Sequence, residues 1–274
     1  MIRDNQTSII LITVIWLTAI ALTGPNGNFP LNDDWSFGLT AKALFETGRF
    51  QPIGWAAMPQ LTNAVWGALF LHLGEFSFTL LRFSTLTVSL IGLWAIYLTL
   101  KQLQSDSTTA TIATLAIAFS PIYYSLSFTF MTDVPFTALI AISSLFYIKT
   151  LLSFSWKNYL LATTFTLAAM LSRQLAIAVP LGFMAAFIVN RETNLKNALI
   201  STLPFALSLI SYFLFRNWLL SANLLPPLFD SSNMKLLKAL AAPQESLKAF
   251  AANLYVALMY FGLFFSACLL NSIY

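Results

Sequence analysis

Eight stretches of this chain are apolar for about 16 to 24 residues at a time, and that property decides which solvent the fold is built for. They run roughly over 8–23, 78–100, 108–127, 134–152, 157–172, 175–190, 197–220 and 249–270. A helix needs about 20 apolar residues to cross the hydrocarbon of a bilayer. Hydrophobic residues make up 58% of the 274, charged residues 9%, and mean hydropathy is +0.76. No soluble domain of this size needs that much apolar surface. The runs are continuous rather than alternating, which excludes a β-barrel. The expected fold is all-α: a polytopic transmembrane helix bundle of about eight spans, with residues 1–274 as one domain.

The first run is read as an uncleaved span, because it is longer than a signal-peptide core and no small-x-small site closes it. The lone Cys268 lies in the last run and has no partner for an internal disulfide. A net charge of +4 reports loop bias in such a chain and implies no nucleic acid. Loop bias does fix an orientation. With the N-terminus inside, Arg3, Lys101, Lys149, Lys157, Arg191 and Lys196 fall in cytoplasmic loops. The segments 24–77, 128–133, 172–174 and 221–248 then face outside.

The first outer segment, 24–77, carries its own structure. Gly24-Pro25-Asn26-Gly27 ends the first helix. Over 36–50, Phe37, Ala41, Leu44 and Phe45 recur at helical spacing with Ser36, Thr40, Glu46 and Thr47 opposite, which predicts an amphipathic helix in the interface. A second apolar stretch, 61–73, is too short to span and reads as another juxtamembrane helix. A third is expected around Met234, Leu237, Leu240 and Ala241.

The proposed orientation puts three carboxylates, Asp33, Asp34 and Asp133, on the same side as Arg173. Acids at a bilayer boundary are costly to desolvate and usually carry function. Plain structural readings compete. Asp34 is placed to cap the helix at 36, Thr132 or Asp133 to cap the helix at 134, and Arg173 to snorkel or pair with an acid. One His and no Cys pair argue against a zinc site. No Gly-rich phosphate loop, nucleotide fingerprint or Ser-His-Asp set is present. An outward carboxylate can serve as a general base on an acceptor hydroxyl or amine. A second can orient it or share a divalent cation with it, and a cation at the same depth can hold a lipid-linked phosphate leaving group.

At these residues the chain resembles the GT-C glycosyltransferases, especially lipid A aminoarabinose transferases and protein O-mannosyltransferases. The resemblance runs in order over roughly 1–190. It begins with Asp33-Asp34-Trp35-Ser36-Phe37 after the first span, then Pro59-Gln60-Leu61 before a second interfacial helix. Leu73-Gly74 and Arg82-Phe83 enter the next span. Thr132-Asp133-Val134-Pro135-Phe136 closes the second outer loop, and Arg173 precedes an apolar segment ending at Pro180.

The resemblance implies a polyprenyl-phosphate-linked sugar donor and a lipid, glycan or protein acceptor. It implies an integral plasma (inner) membrane protein with its site on the outer, periplasmic face. Asp33 is then the base, Asp34 and Asp133 its orienting partners or the holders of a divalent metal cation, and Arg173 the donor-phosphate clamp. The chain departs from the pattern in having Ala57-Met58 where aminoarabinose transferases carry Glu-Lys, and Arg173 where a Lys is usual. It is also expected to be the N-terminal part of a longer family fold. A transporter or flippase, or a non-catalytic relative, is the rival reading.

Overall fold

A computed structural model describes residues 2–190, 194–231 and 247–259. Its first compact unit, ending at Pro226, is all helix among the described residues. The order is α1 (Ile2–Thr23), α2 (Asp34–Thr47), α3 (Leu61–Leu71), α4 (Phe78–Gln102), α5 (Ser107–Ala118), α6 (Pro121–Ser127), α7 (Asp133–Leu152) and α8 (Trp156–Ser172). A 3₁₀ turn (Gln174–Ile177) then leads into α9 (Ala178–Asn190) and α10 (Leu195–Ser221). The second unit, from Pro227, contains a short apolar helix over Leu247–Met259. The expected helix around 234–241 and the end of the expected span at 249–270 lie outside the described residues.

The all-α bundle stands, and the expected spans differ in the length of helix they carry. Four helices are long and apolar enough to cross a bilayer by themselves: α1, α4, α7 and α10. A fifth span forms only if α5 and α6 count together, and these bend by 64° where Pro121 restarts the helix. Ser120 caps that restart by accepting the Tyr123 N–H. The helix α8 has 17 residues, about 25 Å at the α-helical rise, against about 30 Å of hydrocarbon. The stretch from Gln174 to Asn190 is equally short. Helix length and hydropathy agree fully for four of the runs, while α8 and the Gln174–Asn190 stretch sit at the short end of the range for a span.

Small residues let the central helices approach. A Cβ on Gly92 of α4 would sit 2.8 Å from the Ala138 Cβ of α7, so the two backbones pack where only glycine fits. Beside it the Tyr123 hydroxyl donates to the Ser89 carbonyl at 2.7 Å. The first helix docks through Ile12 and Trp16, both fully buried, with Trp16 packed against the rings of Phe119, Tyr123 and Tyr124.

One proline explains how α8 is fixed to α10. Pro204 has no N–H, so the Ile200 carbonyl one turn earlier lacks its helical donor. The Tyr159 hydroxyl supplies the missing bond at 2.9 Å. An apolar interior offers no water to do this instead. Tyr159→Phe is therefore expected to destabilise the fold by about 1–3 kcal/mol, the cost of a buried orphan carbonyl. In a Pro204→Ala background the new N–H bonds Ile200 directly and most of that loss disappears. Unfolding of the four proteins in one detergent measures this, and equal penalties in both backgrounds would contradict it.

Candidate functional site

The loop before α2 is held from the side by a cation. Arg82, buried in the first turns of α4, donates to the carbonyls of Pro25 at 3.4 Å, Gly27 at 2.7 Å and Phe29. Its guanidinium also lies 5.0 Å from the centre of the Phe29 ring. Three carbonyls from one short segment fix the path of the chain just ahead of Asp33.

Neither acid at the start of α2 caps that helix. Asp33 holds the N-cap position with helical backbone angles and makes no side-chain cap bond. Its Oδ1 instead accepts the indole N–H of Trp55 at 3.0 Å. Asp34 is fully buried; its Oδ1 accepts the Leu31 N–H at 2.6 Å and its Oδ2 the Phe130 N–H at 3.2 Å. One carboxylate thus ties the first loop to the loop between α6 and α7. A Cβ on Gly67 of α3 would strike the Phe130 ring and come within 2.9 Å of the Ala41 Cβ, so α2, α3 and that loop close around the bond.

The face of α2 expected to be polar and outward is buried over its first half. Ser36 and Thr40 are fully buried and donate to the Asp33 and Ser36 carbonyls, at 3.1 and 2.8 Å. Hydroxyls that repay their own helix can be buried with no outside partner. Near its start the helix buries Ser36, Phe37, Thr40 and Ala41 and exposes Leu39, and its far end is exposed at Glu46 and Thr47.

Asp133 and Arg173 meet directly. Nη1 lies 2.9 Å from Oδ1 and Nη2 donates to Oδ2 at 3.1 Å, a two-pronged pair. Nε donates to the Thr132 hydroxyl at 2.7 Å, which fixes the plane of the guanidinium. The side chains are 20% and 32% exposed, so the pair stands at the edge of solvent. Thr132, at the N-cap of α7, makes no side-chain cap bond.

The same end of the bundle is knitted further. The Gln60 N–H donates to the Ser172 carbonyl at 3.2 Å, and the Ser172 hydroxyl to Asn63 Oδ1 at 2.9 Å. Asn63 Nδ2 donates to the Met131 carbonyl at 3.4 Å. Segments 24–34, 55–63, 128–133 and 172–173 therefore form one polar cluster. No hydrogen bond joins Asp33 to Asp133; the link runs through Asp34 and the Phe130–Thr132 loop.

Trp55, Gln60, Asn63 and Ser172 were not legible as site residues, although an Asn inside an apolar helix is a recognisable signal. Gln60 stands out. It is 1% exposed, has φ +52°, and neither amide atom finds a partner among the described residues. Such strain and unpaired polarity cluster at functional sites.

Among the described residues no three His, Cys, Asp or Glu side chains gather to hold a metal ion. Asp34 turns its oxygens to backbone N–H groups and Asp133 turns both of its own to Arg173, so the expected pair makes a poor cation donor set.

With this geometry in view, comparison with protein-family models matches residues 63–219 to dolichyl-phosphate-mannose-protein mannosyltransferase, 157 of 274 residues. The chain belongs to that family. It is a membrane glycosyltransferase of the GT-C type. Comparisons with curated proteins and with solved structures return no match. The mannosyltransferase match includes Asn63, Asp133, Ser172 and Arg173 and begins after Asp33 and Asp34.

Burial, the largest effect on Asp34, raises its pKa; the N–H bonds from Phe130 and Leu31 and the charge of Arg82 oppose the rise. A raised folded pKa means stability that is full below the unfolded value, near 3.8, and lost as pH climbs through the folded value. Wild type minus Asp34→Asn unfolding free energy, followed from about pH 4 to about pH 8, is expected to move against wild type as pH rises. A flat difference would contradict the buried environment assigned to Asp34.

Proposed function

We propose that this protein transfers a hexose from a polyprenyl monophosphate to an acceptor hydroxyl at the outer membrane face, with Asp33 as the general base. One observation carries the assignment. Asp33 has one oxygen pinned by Trp55 while Oδ2 accepts no hydrogen bond among the described residues. A carboxylate oriented by one oxygen and open at the other suits proton abstraction. Both oxygens of Asp34 and of Asp133 are engaged.

In the proposed step the acceptor hydroxyl gives its proton to Asp33 Oδ2 as its oxygen attacks the anomeric carbon. The bond from that carbon to the phosphate oxygen breaks, and the electron pair leaves with the polyprenyl phosphate. Arg173 receives the charge that develops there, since two parallel N–H bonds match phosphate as well as carboxylate. Asp133 and Thr132 hold the guanidinium flat until the phosphate arrives. No step runs through a metal ion. The family description names mannose and a protein acceptor, so dolichyl-type phosphomannose with a Ser/Thr peptide is the first pair to try; lipid and glycan acceptors are the next.

The test uses purified protein in liposomes with labelled donor. Asp33→Asn is expected to lose about 10²–10⁴ in turnover while its unfolding temperature stays near wild type. Arg173→Ala raises the donor KM more than the acceptor KM, and Arg173→Lys is milder. Normal turnover by Asp33→Asn would remove the base from this reading.

A further inference from the structure

The end of the bundle away from the carboxylates has a cavity that the transfer chemistry does not use. It measures about 820 Å³ and lies between the starts of α8 and α10. Trp156 and Tyr159 form one side, and Leu199, Leu203 and Ala206 the other. The Tyr159 bond to the Ile200 carbonyl, next to Pro204, joins two of its lining residues.

Its dimensions and polarity are matched to one kind of molecule. From Lys196 to Ala206 the lining follows α10 for ten residues, about 15 Å of helix. That is one leaflet of hydrocarbon, half of the roughly 30 Å core. The wall is apolar along this length, and charge enters only at the mouth, where Lys196 lines the cavity. Lys196 is exposed and forms no ion pair among the described residues, and the exposed Lys157 follows Trp156 at the same level. The indole of Trp156, 56% exposed, has the amphipathic character of an interface anchor. Both helices also begin here, which adds their positive ends to the two lysines.

We propose that this groove binds an anionic glycerophospholipid of the leaflet at that end, one acyl chain lying along α10 and the phosphate meeting Lys196. Basic pockets between membrane helices recognise lipid head groups in this way. A polyprenyl phosphate donor would have its head group at the carboxylate end. The two lipids therefore occupy opposite ends of the bundle and do not compete. The proposal is independent of the transfer reaction.

The experiment is native mass spectrometry of the purified full chain, titrated with phosphatidylglycerol or phosphatidylcholine. Wild type is expected to retain one phosphatidylglycerol through detergent activation, with phosphatidylcholine bound more weakly. Lys196→Ala lowers the phosphatidylglycerol affinity about fivefold, the effect of one lysine at a lipid phosphate. Lys101→Ala, a base of the same charge outside the groove, leaves it unchanged. Ala206→Trp, which fills the far end of the groove, lowers binding of both lipids. Inorganic phosphate at equal concentration displaces nothing, since the chain provides part of the hold. Equal retention of the two lipids by wild type, or unchanged phosphatidylglycerol affinity in Lys196→Ala, would overturn the site. The lysine comparison decides the matter even if Ala206→Trp does not fold.

Discussion

The carboxylate of Asp34 joins the backbone N–H of Leu31, in its own loop, to that of Phe130, 96 positions further along the chain from Asp34. The arrangement of the polar end of the bundle depends on that bridge. Helices that leave the hydrocarbon expose unpaired groups at their ends, and the loops between them must find partners without a sheet to supply them. This chain meets the need with side chains. Asp34 ties the first loop to the α6–α7 loop, Arg82 gathers three carbonyls of the first loop, and Ser172 and Asn63 tie α8 to α3. The consequence for function is positional: Asp33 and the Asp133–Arg173 pair are carried by segments that are themselves tied together.

That division of labour separates residues that look alike in sequence. Asp33 and Asp34 are adjacent acids, yet one is half-exposed with an open oxygen and the other is sealed with both oxygens bonded. Asp133 resembles a helix cap by position but is the counter-charge of Arg173. Arg at this place adds geometry over a Lys, because its planar fork meets the Asp133 carboxylate with two parallel N–H groups while Nε holds the Thr132 hydroxyl. At the opposite end, Pro204 and Tyr159 repeat the same logic in an apolar setting and leave a groove beside them.

Much of this was legible before any coordinates. Continuous apolar runs predicted the helices, and the break at Gly24-Pro25 fell where the chain turns. Lys and Arg bias grouped the segments around 33, 133 and 173, and the structure brings these together. Three things were not legible. Helix length differs from hydropathy length, so α8 and the Gln174–Asn190 stretch are shorter than α4, α7 and α10. The buried face of α2 holds Ser36 and Thr40, because their hydroxyls bond their own helix and pattern reading treats them as solvent-seeking. Partners distant in sequence, such as Trp55 for Asp33 or Tyr159 for the Ile200 carbonyl, leave no periodic trace at all.

The central claim is that these loops form one site on the outer face. Cysteine labelling with a membrane-impermeant maleimide tests it in intact cells, in a Cys268→Ser background. Leu175 borders one of the tied segments, Leu73 lies in the loop that ends where the Phe78 N–H donates to Asn28 of the first loop, Leu103 lies at the opposite end, and all three are well exposed. Leu73→Cys and Leu175→Cys are predicted to label from outside, and Leu103→Cys only after the membrane is permeabilised. Labelling of positions 73 and 175 from opposite sides would contradict the single site, and labelling of both only after permeabilisation would contradict its orientation.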